Sequence, residues 1–156
     1  MQAIISDSGP LRYIIMIEAE FLLRDFFEKV LVPKAVIAEL SHASTPEKVR
    51  KFIADLPVWI SVQEATHKIN NPRLGPGESE AIALALERNL MLLADDLPAR
   101  KCAHDLGIKT LGTLGIIEAA AVRKIIDFEE YYGRLAGLGF YVSEALLQEI
   151  RGRISK

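Results

Sequence analysis

Leu90-Met91-Leu92-Leu93-Ala94-Asp95-Asp96 sets five apolar residues in a row and stops them with two aspartates. A short apolar run of this kind, between a helix-forming stretch and a turn, reads as a strand buried on both faces. Working outward, Ala3-Ile4-Ile5-Ser6 is a similar run stopped by Asp7-Ser8-Gly9-Pro10, and Val30-Leu31-Val32 is a second buried strand leading into Pro33. Val58 to Val62 alternates loosely and Lys109 to Leu111 is a short apolar-polar segment, which brings the expected strands to five.

The segments between them are helical in composition. Leu11 to Phe27 is apolar enough for one long helix, Pro33 stands at the first helical position of a segment running to Leu40, and Ser44-Thr45-Pro46-Glu47 opens another. After a loop rich in asparagine, proline and glycine from Asn70 to Gly77, an alanine- and leucine-rich helix runs from Glu78 to Asn89. Leu97 to Leu106 is a helix ended by Gly107, Thr113 to Ile126 is another, and two amphipathic helices lie between Phe128 and Arg153. Apolar strands alternating with helices imply an α/β fold with a central, mostly parallel five-stranded sheet flanked by helices, and with further helices at the C-terminus. The expected organisation is a domain over residues 1–126 and a helical extension, 127–156, packed on that same domain.

A chain of 156 residues that is 50% hydrophobic can bury one substantial core. Its net charge of −2 argues against a nucleic-acid coat or a disordered tail, so any contact with RNA has to be made by local basic patches. The single cysteine, Cys102, rules out an internal disulfide, and no stretch is long and apolar enough for a signal peptide or a membrane span, which places the expected activity in the cytoplasm. His42, His67 and His104 lack paired spacing and do not suggest a zinc site.

In an open parallel sheet, ligands bind at the carboxyl ends of the strands. The residues found there are acidic: Asp7 after the first strand, Asp95 and Asp96 after the fourth, Glu39 on the helix after the second, and Glu78 and Glu80 opening the helix before the fourth. Carboxylates converging from separate parts of a chain suit a hard divalent cation such as Mg²⁺ or Mn²⁺, which takes oxygen ligands and serves phosphoryl chemistry. Each acid also has a plain structural reading, as a turn brace (Asp7), a helix cap (Asp96), a first-turn acid (Glu78) or a solvated helix residue (Glu39). Ala81, Ile82, Ala85 and Leu86 form the stripe expected to face the sheet, and Glu78 leads that stripe. Glu80 shares a side with Ala83, Leu84 and Glu87 and is expected to look sideways or outward.

Five segments, taken in order, carry a resemblance: IISDSGPL (4–11), VLVPKAVIAEL (30–40), LGPGESEAIALALE (74–87), LLADDLPARKCAHDLGIKTLGTLGII (92–117) and LGFYVSEALLQEI (138–150). Together they resemble PIN domains, in the branch related to VapC-type toxins of prokaryotic toxin–antitoxin pairs. The resemblance implies a PIN-like fold and a metal-dependent endoribonuclease that uses Mg²⁺ or Mn²⁺, with a small antitoxin protein as the usual partner. It sets Asp7 on the family's first acid, Glu39 on the second, Glu78 on the third and Asp96 on the fourth, with Asp95 and Glu80 as neighbours able to supplement the metal site. Many members carry threonine or serine two residues before the fourth acid, and here that position is Ala94.

The expected reaction is hydrolysis of an RNA phosphodiester, with Asp7, Glu78 and Asp96 as metal ligands, Glu39 orienting a metal or the attacking water, and Arg12 and Arg100 as phosphate contacts. The rivals are a non-catalytic scaffold of the same fold, which Ala94 favours, and a metal phosphatase acting on a small molecule. Apolar residues of the C-terminal segment, Tyr131, Tyr132, Leu135, Leu138, Phe140, Leu146, Leu147 and Ile150, add a homodimer to the expected partners. No membrane is among them.

Overall fold

The computed structural model describes residues 2–156. The chain divides into two compact units, one reaching Gly112 and the other Thr113–Lys156. The first unit carries β1 (Ile4–Ser6), α1 (Ser8–Met16), α2 (Glu20–Phe26), β2 (Val30–Pro33), α3 (Lys34–Leu40), α4 (Glu47–Ala54), β3 (Ile60–Gln63), α5 (Pro76–Arg88), β4 (Leu92–Leu93), α6 (Leu97–Asp105) and β5 (Thr110–Leu111). All five strands form one sheet in the order β3-β2-β1-β4-β5, and every pairing is parallel. The chain steps from β1 outward to β3, then returns across β1 to lay down β4 and β5. The direction of winding therefore reverses between β1 and β4, the position where such sheets open a crevice.

Side-chain alternation gives the sheet its two faces. Ile5, Leu31 and Leu92 lie in register and pack with Ala81, Ile82 and Ala85 of α5 and with Ala99 and Ala103 of α6. Ile4, Val30, Val32 and Leu93 are equally buried and belong to the other side of the pleat. The register of β1 against β4 is continued past the strands by Asp7 N–H, which donates to the Leu93 carbonyl at 2.9 Å. The β1 end and the β4 end are thereby held side by side.

Several elements differ from the sequence expectation. The helix expected over Leu11 to Phe27 is two helices, because Glu18 adopts a left-handed φ of 60°. Glu18 N–H donates to the Ile15 carbonyl and Ala19 N–H to the Ile14 carbonyl, a Schellman closure that turns the chain with a glutamate where glycine is usual. Pro33 ends β2 and caps α3 instead of opening the helix, and α5 starts at Pro76, two residues before Glu78. The third strand is shifted to Ile60–Gln63, leaving Val58 92% exposed.

Leu86, expected on the buried stripe of α5, is 46% exposed, whereas Ala83 and Leu84 are buried. The reason is that α5 packs against α3 as well as against the sheet, so its buried arc is wider and is rotated away from Leu86. The side of α5 that was expected to face outward is therefore covered. Glu80 accepts there from Ala35 N–H at 2.8 Å and Ala65 N–H at 3.2 Å, joining the start of α3 to the segment after β3. One turn on, Glu87 accepts from the amides of Thr66 and His67.

The second unit consists of α7 (Thr113–Val122), α8 (Phe128–Gly137) and α9 (Glu144–Ile154). Within it, Ile116, Ile117, Phe128, Leu135, Leu147 and Ile150 are buried, and Arg153 forms a forked bond to Glu118 at 2.6 and 3.0 Å. Of the apolar residues noted in the C-terminal segment, Leu138 and Leu146 stay 40% and 37% exposed. Among the described residues no helix is long and apolar enough to cross a membrane.

Glu80 is a backbone clamp, so Glu80→Gln is expected to destabilise the protein by about 1–3 kcal/mol, since one of two amide donors would face an NH₂ group in place of an oxygen. Urea unfolding of the variant beside the parent measures this. An unchanged midpoint would show that the two bonds contribute nothing to the fold.

Candidate functional site

Three helices begin at the carboxyl edge of the sheet close to the β1–β4 crevice, and an acid stands at each beginning. Asp7 caps α1, its Oδ1 accepting from Ser8 N–H at 2.7 Å. Asp96 caps α6, its Oδ2 accepting from Ala99 N–H at 3.1 Å. Glu78, in the first turn of α5, reaches back to accept from Gly75 N–H at 2.9 Å. The cap read for Asp96 and the first-turn position read for Glu78 are present, while Asp7, read as the brace of a turn, caps a helix because Ser8-Gly9-Pro10 is already the first turn of α1; none of these roles competes with a functional one. The cap bond aims each carboxylate at the same space.

That space is a cavity of about 280 Å³ lined by Asp7, Glu39, Glu78, Asp95 and Asp96, with Ser8, Gly9, Pro10 and Gly75 completing its wall. Asp7 is its closed floor, only 4% exposed, while Glu39 and Asp96 stand at an open rim. Ser6, fully buried beneath, donates its hydroxyl to the Asp7 carbonyl at 3.0 Å. Five of the six acids expected at the site are thus brought together. Glu80 is not: it is committed to the two backbone amides described above and does not line this cavity.

The electrostatics follow from crowding. Burial above all pushes the Asp7 carboxyl from its usual 3.8 up to about 7; the Ser8 amide opposes the rise, and the negative charges of Glu78, Glu39 and Asp96 add to it. Glu78 is raised as well, by burial first, against the pull of the Gly75 amide, and then by a hydrogen bond to the Asp96 carboxyl and repulsion from Asp96 and Glu39. Two carboxyl groups that share a hydrogen bond cannot both be ionised without a counter-charge.

The donor set is all oxygen, partly buried, and negative beyond what its helix amides can offset, which is the chemistry of a hard divalent cation site. Among the described residues, no three histidine, cysteine, aspartate or glutamate side chains already stand in an arrangement that could hold a metal ion. None of the histidines lines the cavity.

Arg12 is exposed on α1 and does not line the cavity. Arg100 donates from Nη1 to the Ala94 carbonyl at 3.1 Å, so it fastens the end of β4. It lies so close to Gly112 that a Cβ there would be 2.9 Å from Arg100 Nη1 and 3.0 Å from Asp95 Oδ1. Ala94 itself is fully buried, and no hydroxyl occupies its position. Gly77 went unnoticed in the sequence although it lies inside the Gly75-Pro76-Gly77-Glu78 stretch. A Cβ at Gly77 would come within 2.8 Å of Glu39 Oε1 and 3.3 Å of Val36 Cγ2, so the absent side chain is what lets Glu39 lie against α5.

A family model described as a PIN domain matches residues 3–156. Among solved structures, a PilT N-terminus domain protein, SSO1118, of the hyperthermophilic archaeon Sulfolobus solfataricus P2 is similar with a TM-score of 0.55 and 22% identity, over 77% of this chain and 93% of that one. At that identity the likeness speaks for the fold. The chain matches no curated protein.

Two outcomes are expected from this geometry. The folded chain retains a proton on Asp7 between pH 3.8 and about 7 that the unfolded chain has released, so that stabilisation is complete below the lower value and lost as pH rises through the upper one. The metal-free protein should then melt at a lower temperature at pH 8 than at pH 5, by an effect of up to about 3 kcal/mol, and Asp7→Asn should reduce the difference. Glu87, held down to about 2 by the Thr66 and His67 amides, acts only as pH falls below 4.5 and leaves this window clear. Separately, Gly77→Ala should change the melting temperature little, because the gain in helix propensity is set against the shift of the Glu39 carboxylate and a few tenths of an ångström at buried Val36. Mn²⁺ affinity measured by calorimetry should fall, and an unchanged affinity would remove Glu39 from the site.

Proposed function

The chain belongs to the PIN-domain family, and from that premise we propose that it is a metal-dependent endoribonuclease hydrolysing RNA phosphodiesters. The observation carrying this reading is the convergence of Asp7, Glu39, Glu78 and Asp96 from four separate segments on one cavity at the β1–β4 crevice. Capping accounts for Asp7, Glu78 and Asp96 singly but not for their facing one cavity together with Glu39, and the raised Asp7 and Glu78 carboxyls support a cation as the counter-charge.

Asp7, Glu78 and Asp96 would hold Mg²⁺ or Mn²⁺, with Asp95 beside them as a supplementary ligand. Such an ion would supply positive charge to the phosphate and make a bound water more acidic, easing its deprotonation for attack. Glu39, on the open rim against Gly77, orients the ion or the attacking water. Arg12, exposed on α1, is the phosphate contact of this reading; Arg100 acts from behind, fixing the β4 end that presents Asp95 and Asp96.

The wider role proposed is that of the toxin of a toxin–antitoxin pair, with a small antitoxin protein as partner and cytoplasmic RNA as substrate. It is supported by the similarity of the five segments to the VapC-type branch. A non-catalytic scaffold is favoured by Ala94 and by the absence, among the described residues, of a ready ligating arrangement. Millimolar Mn²⁺ should raise the melting temperature of a nuclease and leave that of a scaffold unmoved. A metal phosphatase is separated by offering phosphomonoesters and an oligoribonucleotide to the same preparation.

Asparagine caps a helix as well as aspartate does, so Asp7→Asn and Asp96→Asn remove charge while keeping the bonds to Ser8 and Ala99. Each is expected to lower the cleavage rate of an oligoribonucleotide with Mn²⁺ by at least about a hundredfold, while circular dichroism shows an intact fold. Cleavage at the parental rate by either variant would place the chemistry elsewhere.

A further inference from the structure

Beside the acidic cavity lies a second and larger one, of about 670 Å³, within the same unit. The two cavities share the first turn of α5: Gly75 and Glu78 face the acidic one, while Pro76, Ser79 and Glu80 line its neighbour. Its other wall is the segment between β3 and α5, which has no helix or strand of its own from residue 64 to residue 75. A connection of that length is at the upper end of the ordinary range, and this one is tied down by side chains. Its stem is held by Glu80 and Glu87 through the amides of Ala65, Thr66 and His67, and its far end by a turn in which Asn71 accepts from Arg73 and Leu74.

We propose that this cavity receives one nucleotide of a single-stranded RNA, next to the bond cut at the acidic site. The proposal rests on the nuclease reading and adds to it the element that chooses where along the RNA the cut falls. The volume is in the range of small-ligand pockets, and the first turn of α5, which carries Glu78 on the acidic side, forms part of its wall. Its apolar surfaces, Pro72, Leu74 and Pro76, suit the flat face of a base, and Asn70 and Asn71 bring amides to its edge. Asn71 Oδ1 is occupied by Arg73 N–H at 3.0 Å, so Asn71 offers its NH₂ group and favours an acceptor on the base. Lys68 stands exposed on the wall, with no acid paired to it among the described residues, as a contact for the adjoining phosphate. Glu80, although it lines the cavity, is already occupied by the Ala35 and Ala65 amides; Glu64, exposed on the wall, disfavours a phosphate deep inside and leaves that space to the base.

The experiment uses the full chain with Mn²⁺ and a set of oligoribonucleotides of one sequence, each with a single abasic position near the cut. The parent should lose efficiency at one flanking position through KM. In Ser79→Phe, which fills the cavity, KM for the intact RNA should rise by about tenfold or more, the loss of one apolar pocket contact, and the abasic substrate should then be cut no worse than the intact one. Lys68→Ala, exposed and without consequence for folding, should raise KM and weaken its salt dependence. If the parent cuts RNA but shows equal KM for every abasic substrate, or if both variants keep the parental KM, the cavity is not a nucleotide site and the nuclease reading stands. If the parent neither binds Mn²⁺ nor cuts RNA, the nuclease reading fails and this proposal falls with it.

Discussion

Burial of carboxyl groups side by side at one edge of the sheet is the constraint around which the first unit is arranged. Asp7, Glu78 and Asp96 each stand at the start of a helix, where amide donors and the positive end of the helix dipole offset part of their charge. The offset is incomplete, because Asp7 is closed off from water and keeps its proton up to about pH 7. Burial and mutual charge therefore hold the Asp7 and Glu78 carboxyls above the usual carboxylate range in the folded chain. Stability and chemistry are coupled at the same side chains.

Helix α5 distributes the consequences. Glu78 looks into the acidic cavity, Glu80 ties α3 to the segment after β3, and Glu87 holds that segment's stem. Residues two apart on a helix are turned by about 200° from one another, so Glu78 and Glu80 cannot share one task. Small residues make room for this. Gly77 admits Glu39 to the helix surface, and the buried alanines Ala81, Ala83 and Ala85 let α5 approach both the sheet and α3. The acidic cavity and its larger neighbour are separated by a single turn because α5 begins between them.

The plain roles of the acids matter for how variants are read. A carboxylate that caps a helix and also faces the cavity would, if replaced by alanine, disturb both, and a loss of activity would be uninformative. Amide replacements keep the acceptor oxygen and remove the charge. Arg100 offers the same lesson from the cationic side: a guanidinium close to the acids is engaged with the Ala94 carbonyl, and proximity alone does not make it a substrate contact.

Five strands, a mostly parallel sheet and its carboxyl edge as the place to look can be read from the order of residues, and of the six acids expected there Asp7, Glu39, Glu78, Asp95 and Asp96 line one cavity. These were legible because strand burial, cap chemistry and the position of a residue just after a strand are local properties of a few neighbouring residues. The exposure of Leu86 and the clamp made by Glu80 come from long-range packing, since both depend on α3 covering a side of α5 that periodicity assigns to solvent. The break at Glu18 was equally invisible, because glutamate's own chemistry does not favour a left-handed φ and nothing in it announces the turn. Gly77 belongs with these: the space a missing side chain leaves has meaning only once Glu39, remote in sequence, is there to fill it.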